Sequence, residues 1–112
     1  MISIKLFSEV RRLDISSFRA GVNVIHYDFM KDGVSHTSYP INIYELAHKC
    51  KEWALKNGCV LNSCEYEKEA NCEAKHPFRE DRFFGDLKDF EANTEPEAIF
   101  KACEWILKQK EV

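Results

Sequence analysis

The sequence predicts an α+β domain: a mostly antiparallel sheet of four or five strands with two amphipathic helices. Three observations predict it. Residues 94–107 carry a doubly capped helix with one apolar stripe. Residues 42–58 carry a second helix of the same kind. Between and before them lie runs rich in β-branched and aromatic residues, joined at Asp32-Gly33 by a hairpin dipeptide. At 112 residues the chain suits one domain, 1–112, large enough for a core without staples.

The elements follow in order. Ile2, Ile4 and Leu6 alternate with Ser3, Lys5 and Phe7, a period of two that predicts a strand. Residues 8–14 are charged and weakly patterned, and suit a short helical turn or an irregular connection. Residues 18–30 predict one long strand, with Val22, Val24, Ile25, Tyr27 and Phe29 supplying its β-branched and aromatic residues. Asp32-Gly33 then turns the chain, because glycine accepts positive φ without steric cost. Residues 34–41 return as a strand, and Pro40 belongs at its end or on an edge because it has no N–H to donate.

Asn42 is a good helix cap, with Glu45 three residues later. Ile43, Leu46, Ala47, Cys50, Trp53 and Ala54 make the apolar stripe of that helix, and Gly58 suits its left-handed stop. Residues 59–67 predict a strand, 68–71 a polar turn, and 72–78 a second strand. Residues 76–93 are long for a connection, with room for a short strand around Arg82 to Phe84. Thr94 caps the last helix and Glu97 can reach back to it. Pro96 falls in the first turn, where its missing N–H costs nothing. Ile99, Ala102, Cys103, Ile106 and Leu107 form the stripe. Both helices require a sheet or a partner to cover them, on one sheet face or on both. No internal repeat, low-complexity segment or linker is evident.

The order of elements and the ending Thr94-Glu95-Pro96-Glu97-Ala98-Ile99-Phe100-Lys101-Ala102 resemble the closing T-x-P-x-A-I-x-x-A signature of the phage ABA-sandwich domain family, small phage and prophage proteins. The resemblance covers residues 39–107, including the helix with Trp53. The long first hairpin and the stretch from His76 to Asp89 depart from the pattern. It implies an α-β-α sandwich and a phage-like origin, and it supplies no catalytic residue.

Composition narrows the function classes. A net charge of -3 argues against a general nucleic-acid binder, which usually carries a basic face. Arg11-Arg12 and the Arg79–Arg82 cluster, beside Phe78, Phe83 and Phe84, could contact a strand by charge and stacking, but Glu80 and Asp81 oppose it. No run approaches the length of a membrane span. The first residues lack the apolar region of a secretory signal, and the expected location is cytoplasmic. Five cysteines, Cys50, Cys59, Cys64, Cys72 and Cys103, suit thiols in a reducing compartment.

Candidate chemistry is sparse. Cys59, Cys64, Cys72 and His76 are zinc-ligand types, but their C-x4-C-x7-C-x3-H spacing lacks a C-x2-C knuckle. Cys59 and Cys64 also fall on opposite faces of one strand. A thiol nucleophile at Cys64 or Cys72 would need a base among His26, His36 and His76, and no local signature supports a pair. His48 is most simply a surface residue on its helix flank. Glu65, Glu67, Glu69 and Glu73, with Tyr66, make an acidic patch, in which the alternation of Glu65 and Glu67 reads as the solvated face of a strand. Tyr44, Phe83, Phe84 and Trp105 are apolar residues that one small core leaves uncovered, and they are the candidate protein contacts. The expected function is therefore a small phage- or prophage-like protein acting through protein contacts, with itself as a homodimer or with another protein. No catalysis, cofactor, membrane or nucleic acid is expected. A zinc- or thiol-based module on Cys59, Cys64, Cys72 and His76 is the alternative.

Overall fold

The computed structural model describes residues 1–75 and 88–111. The strands predicted around residues 76–78 and 82–84, and the contacts predicted for Phe83 and Phe84, lie outside the described residues. The class is α+β, with three helices and two three-stranded antiparallel sheets among the described residues. The predicted counts of two helices and four or five strands are each too low.

The first element is a helix, α1 (Ile4–Arg11), where a strand was expected. The Ser3 hydroxyl accepts the Leu6 N–H at 3.1 Å and caps it. The alternation of Ile2, Ile4 and Leu6 is misleading, because Ile4 is exposed while Leu6 and Phe7 are fully buried. Ile2, Leu6 and Val10 recur every four residues, and that helical row faces the core. The helix ends at Arg12, a left-handed residue with φ 54°.

Residues 18–30 do not form one strand. β1 (Asp14–Ala20) and β2 (Val24–Lys31) are separated by a tight turn, closed by the Gly21 N–H donating to the Val24 carbonyl at 2.7 Å. Asn23 takes a φ of 57° there, a conformation asparagine tolerates. Val22, counted as strand because it is β-branched, is the most exposed large apolar residue among the described residues, at the tip of the turn. Asp32-Gly33 turns the chain as expected into β3 (Val34–Asn42). Sheet A therefore runs β1-β2-β3.

Asn42 caps α2 (Ile43–Lys56), accepting from the N–H groups of Tyr44 and Glu45. Gly58 follows the helix at φ 84° with open space around it, so its role is conformational. Sheet B runs β4 (Val60–Tyr66), β5 (Glu69–Lys75) and β6 (Lys88–Ala92). β6 occupies the end of what the sequence suggested was a loop. Phe90 and Ala92 pair with Cys72 and Ala70 on the inner face, and Asp89 and Glu91 point the other way. The last helix, α3 (Glu95–Lys110), is capped by the Thr94 hydroxyl at 3.4 Å from the Glu97 N–H, with Pro96 in its first turn.

One core joins everything. Leu6 and Phe7 of α1, Ile25 and Tyr27 of β2, Leu46 and Cys50 of α2, Cys72 of β5 and Phe100 of α3 belong to one buried cluster. The opposite faces of both sheets are open among the described residues. Ser17, Arg19, Met30 and Pro40 are exposed on sheet A, and Asn62, Cys64, Asp89 and Glu91 on sheet B. The arrangement is two-layered, with the helices on one side, where the sandwich alternative placed helices on both faces.

Among the described residues the order β-β-β-α also occurs twice, in β1 to α2 and in β4 to α3. The two closing helices share a sequence pattern, K-x-x-E-W-x-L-K, at residues 49–56 and 101–108. Each copy begins seven residues after its cap, Asn42 or Thr94. Leu46 and Ala98, Cys50 and Ala102, and Ala54 and Ile106 occupy matching positions and are buried in both. The repeat was missed because the strands between show no matching run.

α1 is part of the core. Phe7 sits 5.1 Å from the Tyr27 ring and 5.6 Å from that of Phe18. Phe7→Ala should lower unfolding stability in urea by about 3–5 kcal/mol. Ser3→Ala should remove about 1 kcal/mol, the worth of a cap. A Phe7→Ala loss no larger than that of Ser3→Ala would mean that α1 does not support sheet A.

Candidate interaction surfaces

The outer face of sheet B gathers carboxylates. Period two puts Asn62, Cys64 and Tyr66 of β4 there, with Glu69, Asn71, Glu73 and Lys75 of β5 and Asp89 and Glu91 of β6. Glu73 and Asp89 stand directly opposite each other across β5 and β6. Like charges so placed destabilise a sheet. Lys75, 3.1 Å from Glu73, is the cation that pairs with this face among the described residues. At its end lies a hollow of about 390 Å³ bordered by Tyr66, Asn71, Glu91 and Lys101. The predicted acidic patch is thus partly right: Glu69 and Glu73 belong to this face and Glu67 to the turn. Glu65 faces the helices instead and accepts the Glu95 N–H at 2.8 Å.

The outer face of sheet A is organised by Asp28. Its carboxylate accepts the Ser38 N–H at 2.8 Å and the Ser17 hydroxyl at 2.9 Å, with the Arg19 guanidinium 3.7 Å away. Arg19 also donates to Ser38 Oγ at 2.9 Å. Both ladders are irregular beside Asp28, between Ile15 and Ser17 on one side and between Tyr27 and Phe29 on the other. The bulges turn Ser17 and Ser38 toward the carboxylate. The Ser38 N–H, then the Ser17 hydroxyl and the Arg19 guanidinium, hold Asp28 below its ordinary pKa.

The cysteines do not converge. No disulfide joins them. Cys72 is buried on the helix side of sheet B, Cys59 is buried just before β4, and Cys64 is exposed. The two thiols expected on opposite faces of one strand are thus separated, but Cys59 stands outside the strand, its N–H donating to the Ala54 carbonyl at 2.9 Å. His76 lies outside the described residues. Among the described residues no group of His, Cys, Asp and Glu is placed to hold a metal ion. Burial pushes the Cys72 thiol up to about 11. The hydrogen-bonding contact with Cys50, then burial, pushes the Cys103 thiol up as well. Its Sγ donates to the Cys50 carbonyl at 3.5 Å.

Of the predicted contact residues, Tyr44 is exposed on α2, beside a hollow of about 220 Å³ shared with His48, Lys51 and Pro96. Trp105 is half-buried, its ring 6.0 Å from Phe90 with Lys88 over it at 5.4 Å. It is largely committed to sheet B. A second group of aromatics was not anticipated: Tyr27, Phe29, His36 and Tyr39 form a ring cluster on β2 and β3, with His36 stacked on Phe29 at 4.7 Å. Pairing the two strands of the Asp32-Gly33 hairpin would have brought these rings together. His48 stands 3.2 Å from Glu52, exposed as expected.

No family model matches the chain, and no curated protein or solved structure matches it. Among the described residues no helix is long and apolar enough to cross a membrane.

Two outcomes follow. With native protein at mildly alkaline pH, iodoacetamide should label Cys64 rapidly, leaving Cys50, Cys59, Cys72 and Cys103 protected. Mass spectrometry of the peptides checks this, and fast labelling of Cys72 would contradict its burial. Asp28 contributes stability that is present above the unfolded carboxylate value of about 3.9. That contribution is lost as pH falls through the lower folded value. Asp28→Asn should therefore be less stable than wild type at neutral pH, and the difference should shrink on acidification.

Proposed function

We propose that the chain is a small phage- or prophage-like protein that acts by protein contacts, without catalysis, through the acidic outer face of sheet B. The phage-like part rests on the Thr94–Ala102 sequence signature. The contact part rests on one observation, the Glu73–Asp89 pair flanked by Glu69 and Glu91, in which Lys75 offsets half-buried Glu73 and exposed Asp89 has no ion pair among the described residues. A sheet that places like charges opposite each other gives up stability. A basic surface laid on this face would relieve the repulsion and gain complementary charge. Tyr66, exposed at the same end, adds an amphipathic ring of the kind enriched at interfaces. The partner class is therefore a protein with a lysine- or arginine-rich surface. The zinc or thiol alternative gains little from the placement of Cys64 away from Cys59 and Cys72.

Asp89→Lys tests both halves of this reading. It should raise stability by about 0.5 kcal/mol in urea unfolding, because it replaces repulsion with attraction. It should also abolish salt-sensitive binding of a lysine-rich peptide, followed by fluorescence anisotropy. Glu45→Lys, on α2, should leave that binding intact. Equal binding by wild type and Asp89→Lys would refute the assignment of this face. Light scattering of the unliganded protein separates a basic partner from self-association, since a concentration-dependent dimer would make the second copy the partner.

A further inference from the structure

A second charged feature stands apart from sheet B. A groove of about 280 Å³ runs between the end of α1 and the outer side of α2, lined by Glu9, Arg11, Arg12, Lys49, Glu52, Trp53 and Lys56. Of its two carboxylates, Glu9 is matched by a lysine, and Glu52 faces a histidine that is a charged partner only when protonated. Glu9 lies 2.7 Å from Lys110 Nζ, and Glu52 lies 3.2 Å from His48. Arg11, Arg12, Lys49 and Lys56 have no carboxylate partner among the described residues. Arg11 donates to the Tyr27 hydroxyl at 3.3 Å, but its Nε is buried with no hydrogen-bond partner. A chain of net charge -3 thus concentrates unmatched cations in one hollow.

The repeat places the same residue types on α3. Lys49, Glu52, Trp53 and Lys56 are the K-x-x-E-W-x-L-K residues of α2. In α3 the matching Lys101 donates to the Glu91 carbonyl at 2.7 Å, and Glu104 accepts the Ser3 hydroxyl at 2.7 Å. In α2, Glu52 lies 3.2 Å from His48 and Lys110 stands 5.4 Å over the Trp53 ring, while Lys49 and Lys56 carry no ion pair among the described residues, as Lys101 and Lys108 carry none in α3.

We propose that this groove binds a phosphate-bearing ligand of about mononucleotide size. The surplus of cations asks for more than one negative charge, and a phosphate carries nearly two with three acceptor oxygens. Guanidinium forks match phosphate oxygens in pairs, and lysines add point charge. The size suits one small ligand, and the Glu9–Lys110 contact, with Lys110 5.4 Å over the Trp53 ring, bounds the groove on one side. The acidic face of sheet B opposes a nucleic-acid polymer as the occupant.

Calorimetric titration of the whole chain with inorganic phosphate, adenosine 5′-monophosphate and adenosine tests the site. Both phosphate-bearing probes should bind, more weakly as salt rises, and adenosine should not. Arg12→Asn keeps a residue that tolerates the left-handed turn, and Lys56→Gln changes an exposed position. Each should weaken binding by about tenfold or more, the size of one charge-assisted hydrogen bond, with an unchanged melting temperature. Lys68→Gln, in the turn between β4 and β5 of the other sheet, should have no effect. Absence of phosphate binding, equal binding of adenosine, indifference to both substitutions, or tighter binding of a glutamate-rich peptide would each overturn the proposal. Because Asp89→Lys leaves the groove untouched, failure here is separate from failure at sheet B.

Discussion

The seam between α2 and α3 is the constraint on which the rest of the structure depends. Cys103 Sγ approaches the Cys50 carbonyl to 3.5 Å, which only small side chains permit. Both helices bury such residues: Ala47, Cys50 and Ala54 on α2, and Ala98, Ala102 and Cys103 on α3. A larger residue at Cys50 or Cys103 would force off-rotamer packing or a backbone shift. α2 also follows directly from β3 and leads into β4, so any shift there moves both sheets. The two halves are thus parts of one core, and the uncovered faces of both sheets follow from placing all three helices on the same side.

The caps were legible because capping is local. Asn42 and Thr94 carry their signals within three residues, and both side chains cap as the sequence suggests, but the Glu97 carboxylate, expected to reach back to Thr94, pairs with the Met1 amino group at 3.0 Å instead. Asp32-Gly33 was legible for the same reason. α1 was not: over so short a stretch Ile2, Ile4 and Leu6 satisfy a period of two as well as a partial helical row. The row is chosen by the contacts of Phe7 with Phe18 and Tyr27, which are tertiary. The turn at 21–23 was hidden by Val22, whose β-branched side chain reads as strand although Gly21 and Asn23 beside it are turn residues. β6 is short, and its inner pair, Phe90 and Ala92, becomes intelligible only against Cys72 and Ala70.

The surfaces divide in a similar way. An acidic patch could be read from the sequence, but the alternation of Glu65 and Glu67 named the wrong carboxylates for the open face, and the opposition of Glu73 and Asp89 needed the register of β6. The cationic groove joins Arg11-Arg12, noticed in the sequence as a cluster, to Lys49 and Lys56 of another helix, and no spacing rule links them. The K-x-x-E-W-x-L-K recurrence was in the sequence throughout. It acquires meaning from the folded chain, where one copy braces α3 and the other borders the groove.

The two bulges of sheet A have an effect beyond orienting serines toward Asp28. β1 and β3 are its edge strands, and each is interrupted, with Ser38 held at φ 55° in β3. A regular outer edge offers an uninterrupted row of N–H and C=O groups, a template for a strand from another molecule. Here neither edge presents one. The irregularity that holds a single carboxylate therefore also works against edge-to-edge aggregation through this half of the protein.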